Sequence, residues 1–256
     1  NLVCTGAEPL AITDCLNMGN PERPEVYYQL RECIRGMAAA CRRLNTPVIS
    51  GNVSLYNETK GRAVHPTPVV GMVGLIEDID HHCTSGFKDE GDEVFLLGNL
   101  DDGGLAGSEY LEVIHGLVAG RPLIDLDQEK RVQRCCLSLV RNGTVKSAHD
   151  CSDGGLAVAL AESCLMGSAG LQGGWTIKGR LDECLFGEAP SRILVSVAPN
   201  RVADVEKMAV WHKVGLTRLG VVRGKKLSIE GLFDLPLEEL GIAWRHGLER
   251  ALRGSS

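Results

Sequence analysis

At 256 residues the chain can hold one large domain or two small ones, and either can bury a core. A net charge of −6 without any long basic run argues against a nucleic-acid groove or an anionic membrane surface as partner. No apolar stretch approaches the ~18 residues of a membrane span, and residues 1–6 are not a basic-then-apolar leader, so a cytoplasmic protein is expected.

Residues 1–7 read as the end of a helix, followed at 9–15 by a short apolar strand. The spacing predicts a helix over 25–44. There Val26, Leu30, Cys33, Ile34, Met37, Cys41 and Leu44 recur with helical period, while Arg31, Arg35, Arg42 and Arg43 take the other face. Pro21 and Pro24 stand at its entry. Strands are expected at 48–55 and 68–76, joined by a polar turn over 57–62. After Asp78 the composition shifts, and the polar, glycine-bearing stretch 81–91 reads as a linker. Beyond it come strands at 92–97, 192–198 and 216–222 and helices at 126–140, 156–166 and 201–212. That irregular alternation suggests an α+β second domain. The expected organisation is a first domain over 1–80, a linker over 81–91, a second domain over 92–250 and a tail over 251–256.

The ten cysteines include no Cys-x-x-Cys pair, and Cys135 and Cys136 are adjacent, a poor geometry for chelation or a disulfide. With Cys33 and Cys41 on the apolar helix face, reduced core thiols are expected.

Chemistry concentrates where the apolar run Val48-Ile49 ends in Ser50-Gly51-Asn52-Val53-Ser54. Gly51 leaves room for close approach, Asn52 offers a neutral oxygen and Ser54 a hydroxyl, groups that suit a hard cation or a phosphorylated ligand. Asp14 stands at the end of the preceding strand, and adjacent strand ends can converge on one ligand. Together they suggest a nucleotide–magnesium site. The turn-rich Asn17-Met18-Gly19-Asn20-Pro21-Glu22 reads either as a loop over that site or as a plain strand-to-helix connection. In Ser147-Ala148-His149-Asp150-Cys151-Ser152-Asp153-Gly154-Gly155, a helix amino end follows two glycines. It reads either as an anion site or as an N-cap by Ser152 or Asp153. His149, the pair His81-His82 and the glycine-rich 101–107, which lacks the lysine of a phosphate loop, carry weaker signals, and packing or loop roles are expected for them.

Four segments taken in order match a known family: Pro9-Leu10-Ala11-Ile12-Thr13-Asp14-Cys15-Leu16-Asn17-Met18-Gly19-Asn20-Pro21-Glu22, residues 47–57, His65-Pro66-Thr67-Pro68-Val69-Val70-Gly71, and residues 149–156. They closely resemble phosphoribosylformylglycinamidine synthase, in the second half of its small, multi-subunit form, and the resemblance runs over nearly the whole chain. It implies an α+β (α/β-mixed) fold, a PurM-like two-domain unit shared with aminoimidazole ribonucleotide synthetase. In it, an incomplete, barrel-forming N-terminal domain precedes an α+β C-terminal domain. The implied activity is that of an ATP-dependent C–N ligase of purine biosynthesis. ATP phosphorylates the formamide oxygen of formylglycinamide ribonucleotide, and ammonia derived from glutamine then displaces phosphate to give the amidine.

Carried over by motif, Asp14 and Gly51 are ATP contacts, Asn52 is a magnesium ligand and Ser54 a substrate contact. Asn1, Asp150 and Ser152 match an auxiliary nucleotide site. The implied cofactors are ATP and Mg2+, and the implied partners are the N-terminal half of the synthase, a PurQ-like glutaminase subunit and a small PurS-like subunit. The family's catalytic histidines and further magnesium carboxylates lie in its first half, so no catalytic residue is expected here and the isolated chain is expected not to turn over. Two alternatives are a non-catalytic structural half that binds partner subunits, and another ATP-dependent member of the superfamily such as a selenophosphate or thiamine-phosphate kinase. The latter would need an acidic, glycine-bearing phosphate segment not found in this sequence. An exposed apolar sheet edge is expected to favour self-pairing.

Overall fold

A computed structural model describes residues 1–101 and 104–253; Asp102 and Gly103 of the glycine-rich stretch and 254–256 of the tail lie outside the described residues. The chain divides into a small unit, Leu2 with residues 7–77, and a larger one comprising Asn1, residues 3–6 and the chain from Asp78 onward.

The small unit runs β1 (Glu8–Asn17), α1 (Pro24–Leu44), β2 (Val48–Ser54), β3 (Glu58–Thr59), β4 (Arg62–Ala63) and β5 (Thr67–Leu75). Its main sheet has the order β2-β1-β5, with β1 parallel to β2 and antiparallel to β5. Parallel neighbours need a long crossover, and α1 provides it. Pro24, with its φ already suited to a helix, opens α1, and Asn45 closes it in the left-handed region (φ 60°), its N–H returning to the Cys41 carbonyl. The polar stretch expected as a turn is itself a hairpin, β3–β4, around Lys60 and Gly61 at φ 51° and 75°. Positive φ at both central residues matches the twist of the strands they join. Along β1 the side chains alternate: Ile12 and Leu16 are buried, and Thr13 between them is exposed.

The larger unit contains β6 (Glu93–Leu97), α2 (Glu109–His115), α3 (Leu126–Arg141), β7 (Ser147–Asp150), α4 (Gly155–Gly167), β8 (Leu171–Gly173) and α5 (Leu181–Phe186). β9 (Ile193–Val197), α6 (Val202–His212), β10 (Leu216–Val222), β11 (Lys226–Ile229), β12 (Phe233–Pro236) and α7 (Leu237–Arg253) complete it. Seven strands form one sheet in the order β12-β11-β8-β10-β6-β9-β7. Apart from Glu93 at the start of β6 and Ser196 in β9, the two strands are apolar throughout because both faces are covered. Phe95, Leu97 and Val195 point into a cluster with Val132, Leu139 and Val205 of α3 and α6. Val94, Leu96 and Leu194 point the other way, towards Leu156, Leu160 and Cys164 of α4. The result is helix, sheet, helix.

Two expectations give way here. The stretch 81–91, read as a linker from its polarity, is packed into the larger unit. Phe87 is 1 % exposed, its N–H donates to the Ser163 carbonyl, and Gly86 lies against the backbone of Met166 and Gly167 too closely for any Cβ. Few apolar residues suffice to anchor a segment when one of them is a buried phenylalanine. The cysteines also divide: Cys4, Cys83, Cys135, Cys136, Cys151, Cys164 and Cys184 are buried, but Cys15, Cys33 and Cys41 are only half-buried. The latter pair lie on α1, where Ile34 is 46 % exposed, so the apolar face of that helix is only partly covered within this chain.

Candidate functional site

The register of the small sheet settles which candidates meet. Asp14 is paired with Gly51, Cys15 with Asn52 and Asn17 with Ser54 across β1 and β2, without irregularity beyond Thr13. Paired residues share a face and neighbours along a strand alternate. Asp14 and Gly51 therefore lie on the face that carries buried Leu16, whereas Asn52 and Ser54 lie on the opposite face with Cys15 and Asn17. On β5 the partners are Val70 for Asp14, Val69 for Cys15 and Thr67 for Asn17. The strand-end convergence expected from the sequence exists, but it is divided between two faces.

Gly51 is required by contact. A Cβ built on residue 51 would overlap the Asp14 carboxylate and backbone. The glycine thus lets an acidic side chain rest on the neighbouring strand. Beyond it, Asn52 is exposed and Ser54 half-buried. The connection 17–22 is pinned in place: Met18 is 1 % exposed, its N–H donates to the Ser54 carbonyl at 2.9 Å, and Asn20 Oδ1 accepts from Glu22 N–H at 2.9 Å. Gly19 has no room for a Cβ either, since Ala63 of β4 fills the space.

Among the described residues no three His, Cys, Asp or Glu side chains are gathered so as to hold a metal ion. A single amide oxygen from Asn52 fits one position of a magnesium shell, a cation that takes few protein ligands and otherwise keeps phosphate and water oxygens.

In the larger unit Asn1, Asp150 and Ser152 come together. Turned nitrogen-inward, the Asn1 carboxamide donates to the two Asp150 oxygens at 2.5 and 3.0 Å, and Ser152 Oγ donates to Asp150 Oδ2 at 2.5 Å. His149, next in line, places Nε2 2.9 Å from Glu162 Oε2. Neither Ser152 nor Asp153 caps α4. The N-cap is Gly154 at φ 77°, followed by Gly155 at φ 68°, and the Gly154 N–H donates to Glu188 Oε1 at 2.8 Å. The amino end does receive an anion, but it is the carboxylate of a residue 34 positions away. The same Glu188 oxygen accepts from the N–H of Glu109 at the start of α2. Nothing local in the sequence marks Glu188 for this, because its partners come from two other segments.

The N-terminal domain family described as AIR synthase related protein matches residues 1–76, and its C-terminal domain counterpart matches residues 89–231, more than half of the chain. The chain belongs to the AIR synthase related family. As a member, it is 50 % identical over 264 residues to the phosphoribosylformylglycinamidine synthase subunit PurL of Anaeromyxobacter sp. (strain K), covering 99 % of this chain and 35 % of that one. It is 51 % identical over 255 residues to the PurL subunit of Thermomicrobium roseum, covering 97 % and 34 %. The chain spans about a third of the length of the curated relatives it matches. Among solved structures, the T. maritima PurL complexed with FGAR aligns with a TM-score of 0.71 at 19 % identity, over 93 % of this chain and 40 % of that one. The structure of PurLQS from Thermotoga maritima gives 0.70 at 19 % identity, over 93 % and 39 %. These two share the fold of the chain and, with the family models over residues 1–76 and 89–231, bear out the mixed α/β, PurM-like fold expected from the sequence.

Proposed function

We propose that this AIR synthase related chain is the part of phosphoribosylformylglycinamidine synthase that resembles the second half of its PurL subunit, and that it contributes residues to an active site completed elsewhere in the synthase. The observation that carries the reading is 50 % identity to named PurL subunits across 99 % of the chain. The reaction is the ATP- and ammonia-dependent conversion of formylglycinamide ribonucleotide to its amidine, in the cytoplasm. ATP supplies the phosphoryl group and Mg2+ neutralises its charge when they are bound.

The chain's own residues then position and orient. Asp14, resting against Gly51, contacts the nucleotide; Asn52 offers its amide oxygen to the metal; Ser54 donates its hydroxyl to the ribonucleotide. Phosphoryl transfer relies on positioning and charge neutralisation more than on a protein nucleophile, so this division of labour needs none from the chain. Asn1, Asp150 and Ser152 form the auxiliary nucleotide site on the same resemblance. The partners are the remainder of the synthase, a PurQ-like glutaminase and a PurS-like subunit, and the isolated chain does not turn over. Ammonia-dependent turnover by the purified chain would overturn that last point.

A structural reading is favoured by one observation: β2 and β5 form the edges of the small sheet, and Val48, Ile49, Val53, Val69, Val73 and Leu75 on them are exposed. Asn52→Leu in the full-length synthase separates the two. Turnover abolished with assembly intact supports the catalytic reading. Failed assembly supports the structural one.

A further inference from the structure

Asn57 lies just beyond β2, in the loop that leads to the β3–β4 hairpin, and the reading of the site gives it no task. Every polar group it owns is nevertheless engaged. Its backbone N–H donates to the Met18 carbonyl at 3.1 Å and its carbonyl accepts from Val64 N–H at 3.1 Å. Its side-chain Nδ2 donates to the carbonyls of Met18 and Ser54, both at 3.0 Å, and approaches Ser54 Oγ at 3.1 Å. The orientation of the amide follows from these partners, since turning it over would aim its oxygen at two carbonyl oxygens. Between Ser54 and Asn57 the chain turns through Tyr56 at φ 62°, whose N–H donates to the Gly19 carbonyl at 3.1 Å. A non-glycine residue holds that conformation only when its surroundings fix it.

We infer that Asn57 is a positioning residue for Ser54: its carboxamide ties the exit of β2 to the Met18 carbonyl and sets the Ser54 hydroxyl as a donor towards a ligand oxygen. The inference rests on the reading of Ser54 as a substrate contact. The chemistry is a matter of which partner can be replaced. The two hydrogens of Nδ2 serve three acceptors, so the one turned to residue 54 is shared between the Ser54 carbonyl at 3.0 Å and Ser54 Oγ at 3.1 Å, and it occupies a lone pair of that hydroxyl oxygen. The hydroxyl's own hydrogen meets Asn57 Oδ1 at 3.3 Å, the longest contact of the group. A carbonyl or anionic oxygen arriving at the open face competes for that hydrogen without disturbing Nδ2. The hydroxyl is therefore held as an acceptor inward and released as a donor outward. The same tie keeps Met18 and Gly19 beside β2, so the loop 17–20 and the Ser54 turn behave as one body.

The test has two readouts. Hydrogen exchange on the 256-residue chain follows the backbone amides of residues 56 and 57 in Asn57→Ala, in Asn57→Asp and in Ser54→Ala. Both Asn57 variants are expected to speed exchange at these amides about tenfold, the equivalent of one lost hydrogen bond, while Ser54→Ala leaves them protected. Unchanged exchange in both Asn57 variants overturns the tie; should Asn57→Ala fail to fold, the isosteric Asn57→Asp carries the measurement. In the complete synthase, Asn57→Asp is expected to raise KM for the ribonucleotide about tenfold, as Ser54→Ala does, and the double variant to be no worse than either alone. Additive effects overturn positioning through Ser54. A Ser54→Ala enzyme with unaltered KM overturns the substrate role of Ser54 and with it the positioning role, leaving the exchange result to decide whether the tie itself exists.

Discussion

Asp14 and Gly51 face one another across the parallel β1–β2 pair, and a methyl group on residue 51 would overlap the Asp14 carboxylate. Gly51→Ala must therefore displace its surroundings. The carboxylate can swing aside, but the Asp14 carbonyl, 2.7 Å from such a methyl, belongs to the paired strand, so the strands are forced apart as well. Overpacking of this kind costs about 1–3 kcal/mol. The variant is expected to lower the urea midpoint and, in the complete synthase, to weaken Mg-ATP binding at least about tenfold by calorimetry. An unaltered midpoint together with unaltered affinity would show that the Asp14–Gly51 contact does nothing.

What the sequence disclosed follows the strength of its periodicities. The 21-residue α1 and the strands β1, β2, β5, β6, β9 and β10 were legible because each repeats an apolar pattern over enough residues. Short elements such as β8 (3 residues) and α5 (6 residues) offer no full period, and their structure comes from neighbours. The candidate site stands in the sequence as a set of residue types, Asp14, Gly51, Asn52 and Ser54. Which face each occupies depends on register, and a one-residue shift exchanges the faces, so composition alone could not assign it. Glu188 and Asn57 escaped because their partners, Gly154 and Glu109 in one case and Met18 in the other, are distant in sequence. Phe87 lay in a polar stretch whose average concealed it.

The thiols make stability pH-dependent. Burial pushes Cys135, Cys151 and Cys164 up to about 12 and Cys83 to about 11, from an ordinary 9.0. The native state then keeps protons that the unfolded chain releases above pH 9. Stability from these groups is complete below that pH and is lost as pH rises towards 12. Thermal melting is expected to hold level with respect to these thiols below pH 9 and to fall steeply above it, less steeply in a Cys151→Ala, Cys164→Ala double variant. An equal slope in that variant would remove the thiols as the cause. In the same samples at pH 8, a thiol reagent is expected to label Cys15, Cys33 and Cys41 quickly and the seven buried cysteines only on unfolding.

Arg192, 2 % exposed at the entry to β9, donates among the described residues to main-chain oxygens: the carbonyls of Cys184 and Ala189 at 3.4 Å and that of Gly187. It closes the carboxyl end of α5 and shapes the turn that carries Glu188. Arg192→Met fills the space but strands three acceptors, at about 1–3 kcal/mol for each one left buried and unsatisfied. Urea unfolding is expected to show a loss of several kcal/mol, with exchange at the Gly154 amide increased because Glu188 loses its support. A loss confined to stability, with the Gly154 amide still protected, would separate Arg192 from the α4 amino end.

Lys146 reaches two aspartates just ahead of β6, Asp92 Oδ1 and Asp89 Oδ2, each at 2.7 Å. Asp89 is exposed and Asp92 is 2 % exposed, so the two pairs differ in consequence although they share one ammonium. The exposed pair is screened and contributes little. Without Lys146, however, Asp92 keeps a buried charge whose remaining side-chain support among the described residues is the Asp89 N–H at 3.2 Å. Lys146→Met is accordingly expected to destabilise by about 3 kcal/mol, and Asp89→Asn by well under 1 kcal/mol. Replacing both members, Lys146→Met with Asp92→Leu, removes the stranded charge and should recover most of the loss, because an apolar pair of similar size needs no compensation. Denaturant titration of the three variants decides it: equal losses for Lys146→Met and the double variant would mean that packing of the lysine stem, rather than the orphaned carboxylate, is what β6 depends on.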